Sequence, residues 1–160
     1  MIMNRYLLLP LIVSFACTTA DDISPQSVVL NSDSAAVFKT NCWGDLLSAF
    51  QGTWVPDEET VRDLDSHLEL LDKMLHKRGC RAPKSNPVAA RYRFQYVGVQ
   101  VNGRRMVFVN GFALTIDDAS NFNEPNTICA LVNDGGCSFF GALYDPVSKT
   151  FTHLEIAPIA

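Results

Sequence analysis

The spacing of apolar and polar residues changes character along this chain. From Tyr6 to Phe15 the residues are almost continuously apolar. From Asp21 to Asn41 polar residues dominate, and the one apolar group, Val28-Val29-Leu30, fits a short edge strand. Trp43, Leu46, Leu47 and Phe50 then recur at i, i+3, i+4 and i+7, which predicts a short amphipathic helix stopped at Gly52. Val61, Leu64, Leu68, Leu71 and Leu75 follow at alternating steps of three and four, the stripe of a longer helix. Pro56-Asp57-Glu58-Glu59 opens it, since proline suits a first turn and carboxylates suit the positive end of the helix dipole. Lys73, His76, Lys77 and Arg78 crowd its last turns, and Gly79 ends it. The two prolines between Cys80 and Ala90 predict a loop.

Beyond Arg91 the period falls to two. Asn102-Gly103 is a strong hairpin signal, because both central residues of a type I′ turn need positive φ. That turn sets Val101 opposite Arg104, Val99 opposite Met106 and Val97 opposite Phe108. Val97, Val99, Val101, Met106 and Phe108 then share the face expected beneath the helix stripe. Tyr92, Phe94, Tyr96, Arg105, Val107 and Val109 share the other, to be covered by the N-terminal part of the chain or offered to a partner. Gly111 to Pro125 reads as a polar crossing loop. A second hairpin region turns at Asn133-Asp134-Gly135-Gly136, runs to Tyr144, turns again at Asp145 to Lys149 and ends in a strand from Thr150 to Ile156. The pattern predicts an α+β fold, with an amphipathic helix packed on one face of a four- to five-stranded antiparallel sheet.

Composition changes this picture at the start of the chain. Residues 1–20 have Arg5, then the apolar run, then small residues, which is the layout of a secretory signal peptide and too short to span a bilayer comfortably. Both Thr18-Thr19-Ala20 and Ser14-Phe15-Ala16 fit a small-x-small cleavage site. Ser14-Phe15-Ala16-Cys17 also resembles a bacterial lipobox, which would make Cys17 the lipid-bearing first residue, although Ser14 and Phe15 depart from that pattern. The expected division is therefore 1–20 signal peptide, 21–41 polar tether and 42–160 a single domain, exported to the periplasm and membrane-bound only through a lipid on Cys17. Beyond Cys17 stand Cys42, Cys80, Cys129 and Cys137, an even number that suits disulfides in an oxidising compartment. Four cysteines allow three pairings; Cys42 with Cys80, bracketing the helix, and Cys129 with Cys137, stapling the glycine loop, are the favoured ones.

Candidate chemistry is sparse. The net charge of −4 argues against nucleic acid, which wants clustered Lys and Arg, and favours a basic partner if charge matters. No metal site is expected, because CxxC and HxxxH spacings are missing, and no cofactor loop is present. His67 beside the stripe and His76 in the basic last turn read as structural, and Asp117-Asp118 as a solvated turn. His153 and Glu155, two apart on a strand, are the one pair that could serve acid–base chemistry.

Tyr92 to Phe112, with the pattern YxxQYVGVxVNGRRxxxVNxF, and Asp134 to Ile156, with DGGxxFxGxxYDPxxxxFxxLEI, resemble a group of small exported bacterial proteins of unassigned function. The helix followed by antiparallel strands is also similar to cystatin-like folds. The resemblance implies a shared fold. Small exported domains of this size include periplasmic lysozyme inhibitors and immunity proteins. An exported, bridged scaffold without catalytic motifs is expected to be a non-enzymatic binding or inhibitory domain, its acidic balance suiting a protein partner such as a basic cell-wall hydrolase. One lysozyme-inhibitor family carries a Ser-Gly-x-x-Tyr-like loop; Phe140-Gly141-Ala142-Leu143-Tyr144 keeps its Gly and Tyr but not its Ser. Asp134, Gly135, Gly136, Phe140 and Tyr144 are the expected contact residues. A small envelope hydrolase or ligand-binding protein with a cystatin-like pocket, using His153 and Glu155, and an envelope-assembly lipoprotein are the alternatives.

Overall fold

The computed structural model describes residues 26–30, 50–80, 87–114 and 135–158. The signal segment, Cys17, Cys42, Cys129 and Asp134 lie outside the described residues, as do Trp43 to Leu47 and Asp117-Asp118.

The molecule is α+β, built on one mixed six-stranded sheet. The strands are β1 (Gln26–Val29), β2 (Phe50–Trp54), β3 (Tyr92–Val101), β4 (Arg104–Ala113), β5 (Phe139–Asp145) and β6 (Thr150–Ile156). β3, β4, β5 and β6 run antiparallel in chain order. The free side of β3 is shared: β1 pairs parallel with its first half and β2 antiparallel with its second. The sheet thus has more strands than four or five, and β1 makes it mixed. Val28-Val29 does form the expected edge strand. Phe50 and Gly52, expected to end a helix, instead belong to β2; pairing with β3 overrides the helical spacing.

β3 and β4 form a long hairpin in the expected register, from Val101↔Arg104 to Tyr92↔Ala113. Asn102 and Gly103 take φ of 51° and 75°, as a type I′ turn requires. The register carries β4 through Gly111, Phe112 and Ala113, which the sequence had assigned to a loop. β6 has the expected bounds, whereas β5 starts only at Phe139 and runs one residue further, through Asp145, before a turn over residues 146–149.

The main helix is two helices, α1 (Glu58–Ser66) and α2 (Leu68–Lys77). Asp57 caps α1 by accepting the Thr60 amide at 2.8 Å. The break at His67 has a local cause. The Ser66 hydroxyl donates to the Asp63 carbonyl at 2.6 Å, and His67 Nδ1 lies 2.7 Å from the same oxygen. These side chains compete with the helical ladder, and the His67 and Leu70 amides fall back to i−3 carbonyls. At the far end the Gly79 amide reaches His76 O and the Cys80 amide reaches Leu75 O, a Schellman cap with Gly79 at φ 92°. A further turn of helix, α3 (Val88–Arg91), stands in part of the stretch read as loop, and Arg91 ties it to Asp72 of α2.

The leucine stripe is buried as expected, but against the opposite face of the sheet. Leu64, Leu68, Leu71 and Leu75 pack with Tyr92, Phe94, Tyr96, Val107, Val109, Phe140, Ala142 and Tyr144. Val97, Val99, Met106 and Phe108 form a second core on the other side with Leu30, Phe50, Phe139 and Leu143. Both faces of the sheet are therefore buried, and the aromatic face belongs to the helix.

Candidate functional site

The aromatic face positions a polar cluster that joins the helix to the sheet. Tyr96 and Tyr144 stand on β3 and β5 with their rings in the core and their hydroxyls at its margin. A buried phenol needs a partner, and the helix supplies one to each. Tyr144 donates to Asp63 Oδ2 at 2.6 Å, and Tyr96 donates to Asp65 Oδ1 at 2.6 Å. Lys149, in the β5–β6 turn, donates to the other Asp63 oxygen at 2.6 Å. His67 completes the group, its Nδ1 lying 3.4 Å from the Tyr144 hydroxyl and 3.9 Å from Asp63 Oδ1.

Hydrogen bonds from Lys149 and then Tyr144 hold the Asp63 carboxyl below the usual range, against a smaller effect of burial. Burial, followed by the Asp63 carboxylate, pushes the Tyr144 phenol up. The carboxylate is thus made more acidic beside a phenol made less acidic, which keeps one as acceptor and the other as donor. Asp65 goes the other way: burial raises it, and the Tyr96 hydroxyl only partly offsets that.

Asp63 and Lys149 of this cluster also line an open cleft of about 580 Å³, together with Asp57, Glu59, Thr60, Arg62, Ser66 and Pro146. Both of its cations are engaged, Arg62 with Glu58 at 3.0 Å and Lys149 with Asp63. Asp57 and Glu59 remain as its exposed outward charge. Val55 and Val147, the two exposed large apolar side chains among the described residues, lie within two positions of cleft residues.

The residues singled out from sequence are placed differently. Phe140 is buried, its ring covering the backbone of Gly111, so that a Cβ there would meet the ring at 2.1 Å. Tyr144 is buried as well, and only its hydroxyl reaches the cluster. Neither ring is on the surface, because both sit on the strand face that the helix covers. Gly135 and Gly136 lead into β5 through a 3-10 turn, Gly136–Ser138, where Gly136 has φ 49° and its amide reaches Pro158 O at 3.1 Å. Gly135 packs beneath the Phe139 ring. The two glycines thus have a local packing role.

Cys80 pairs with Cys137, in place of the expected Cys42–Cys80 and Cys129–Cys137 bridges. The Schellman cap carries the chain from α2 to Cys80, which is bonded to Cys137 in the 3-10 turn before β5. The bond ties the end of α2 to that turn. Nor do His153 and Glu155 form an enclosed pair. The register slips between Gly141 and Leu143, and His153 takes φ 50° and turns to solvent, so regular alternation fails there.

Sequence reasoning missed Asp63 and Asp65 as partners of the tyrosines, and Lys149 as the partner of Asp63. The signal was present in tyrosines on two strands of one sheet face and two aspartates flanking one helical stripe. Among the described residues no group of His, Cys, Asp and Glu could hold a metal ion, and no helix is long and apolar enough to cross a membrane. Comparison with protein-family models, curated proteins and solved structures gives no match to this chain.

Proposed function

We propose that this chain is an exported, non-enzymatic binding domain of inhibitor or immunity type, and that it holds a basic protein partner at the cleft between α1 and the β5–β6 turn. The supporting observation is the state of that cleft. Its lysine and arginine are internally paired, Asp57 and Glu59 stand exposed, and the exposed Val147 follows the cleft residue Pro146 in sequence. Apolar contact beside exposed acidic groups suits a cationic protein surface, with charge steering the encounter and Val147 resisting dissociation. A basic cell-wall hydrolase is the partner class that fits an exported acidic domain. Helices laid on four consecutive antiparallel strands are compatible with a cystatin-like reading, and a disulfide is compatible with an oxidising compartment such as the periplasm.

The test is titration of the purified domain into basic peptidoglycan hydrolases, followed by calorimetry and by cell-wall clearing. The reading expects saturable micromolar or tighter binding that weakens with salt and with either Glu59→Lys or Val147→Asp. Absence of binding across such a panel, or binding indifferent to both substitutions, rejects it.

A further inference from the structure

The other end of the helix carries a cleft of opposite character. The last turn of α2 and the irregular part of β6 meet at a hollow of about 600 Å³, lined by Met74, Lys77, Arg78, His153, Leu154 and Glu155. In a chain of net charge −4, two cationic side chains and an imidazole gather here from separate elements. Glu155, the one carboxylate in the lining, is half-buried and already has a partner. Lys and Arg at a helix C-terminus ordinarily serve the last carbonyls. Here the Gly79 and Cys80 amides already bond the carbonyls of His76 and Leu75, which leaves the exposed Lys77 and Arg78 less committed to capping. Met74 and Leu154 supply an apolar floor between the charges.

The backbone at His153 is a second and independent observation. Three non-glycine residues among those described have positive φ; Asn102 and Lys149 sit in turns, whereas His153 lies within a strand. Glycine or asparagine would adopt φ 50° at lower cost. Bulges and unfavourable backbone angles recur where a side chain is re-aimed for use. At this bulge the imidazole is exposed at the cleft shared with Lys77 and Arg78.

From these observations we infer that the cleft binds a single anionic amphiphile. Its carboxylate or phosphate headgroup rests on Lys77, Arg78 and His153, and the first methylenes of its chain lie on Met74 and Leu154. The site is separate from the acidic cleft and does not depend on a partner there.

The experiment is an amide-resolved NMR titration of the whole domain with dodecyl phosphate below its micelle concentration, with inorganic phosphate and dodecyl maltoside in parallel. Dodecyl phosphate is expected to give saturable shifts confined to residues 74–79 and 152–156, and the other two to leave them in place at equal concentration. Lys77→Glu with Arg78→Glu, both at exposed positions, should weaken binding about tenfold or more. His153→Gly suits the backbone, so it should weaken binding while thermal stability holds or rises. No saturable response to dodecyl phosphate overturns the site. An equal response to the maltoside removes headgroup recognition, and an equal response to phosphate removes the apolar floor; either overturns the assignment. Wild-type affinity in the charge-reversed variant or in His153→Gly does the same.

Discussion

Tyr144 donates its hydroxyl to Asp63 Oδ2 at 2.6 Å, joining the fifth strand to the first helix across 81 positions of sequence. The bond fixes how α1 lies on the sheet, because Lys149 holds the other carboxylate oxygen from the neighbouring turn. Tyr144→Phe keeps the buried ring and removes only the donor. Asp63 retains Lys149 and is partly open to water, so its lost bond is partly replaced. Urea denaturation should show a loss of about 1 kcal/mol with an unchanged m-value. A loss above about 3 kcal/mol would mean that the ring, and not the hydroxyl, had been disturbed.

Asp63 and Asp65 stand two positions apart and should respond to pH in opposite directions. Asp63 ionises at lower pH in the folded chain than in the unfolded one, through Lys149 and Tyr144. The unfolded state then binds more protons in acid. Its contribution is complete above the ordinary carboxylate pKa of about 3.9 and is lost as pH falls through the lower folded value. Asp65 is raised, by burial first, so its contribution is present below the ordinary value and is lost as pH rises through the folded one. Asp63→Asn should therefore lower stability at pH 7 and flatten the acid limb of a stability–pH curve. Asp65→Asn should leave stability at pH 7 unchanged or higher, since the amide oxygen can still accept from Tyr96. Matching curves for the two variants would contradict the assignment.

The Cys80–Cys137 bond closes a loop with a sequence separation of 57. In the chain-entropy account a closure of that length is worth about 4 kcal/mol. Non-reducing peptide mapping should recover Cys80 linked to Cys137, and not to Cys42. Replacing both by Ser should lower the thermal midpoint by roughly 10 °C or more. A fully bridged protein with Cys80 joined elsewhere would require a different seat for the end of α2.

Much of this fold could be read from local signals. The leucine stripe, the Asp57 start, the Gly79 stop and the Asn102-Gly103 register each depend on neighbours in sequence, and all appear in the structure. What sequence left open was a choice between two apolar faces. Val97 and Val99 looked better under a helix than Tyr92 and Tyr96, because hydrophobicity alone was weighed. The helix takes the aromatic face, where Asp63 and Asp65 can receive the phenols of Tyr144 and Tyr96. Polar satisfaction at the edge of the core agrees with that choice in a way that apolar period could not reveal. The cysteine pairing failed for a related reason: nearness along the chain was taken for nearness in space. The acidic cleft draws on residues from α1 and from the β5–β6 turn, so no contiguous motif announced it.

Gly98 gives the sharpest test of how β2 is seated. It pairs with Trp54, whose carbonyl oxygen would lie 2.2 Å from a Cβ built on Gly98. The obstacle is backbone, which cannot rotate aside as a side-chain tip can. The Trp54 indole is also fixed from the other direction, donating to Val99 O at 3.2 Å and Met106 O at 3.1 Å, with the Arg105 guanidinium over its ring. Gly98→Ala must therefore displace β2 or bend β3, at a cost of about 3 kcal/mol or more. Hydrogen exchange should show the amides of β2 losing protection first, while β4 and β5, which pair without β2, keep theirs. Trp54→Phe removes the indole bonds without the clash and should cost less, about 1–2 kcal/mol. If Gly98→Ala proved as stable as the parent, with β2 still protected, the backbone could not approach as closely as this pairing requires.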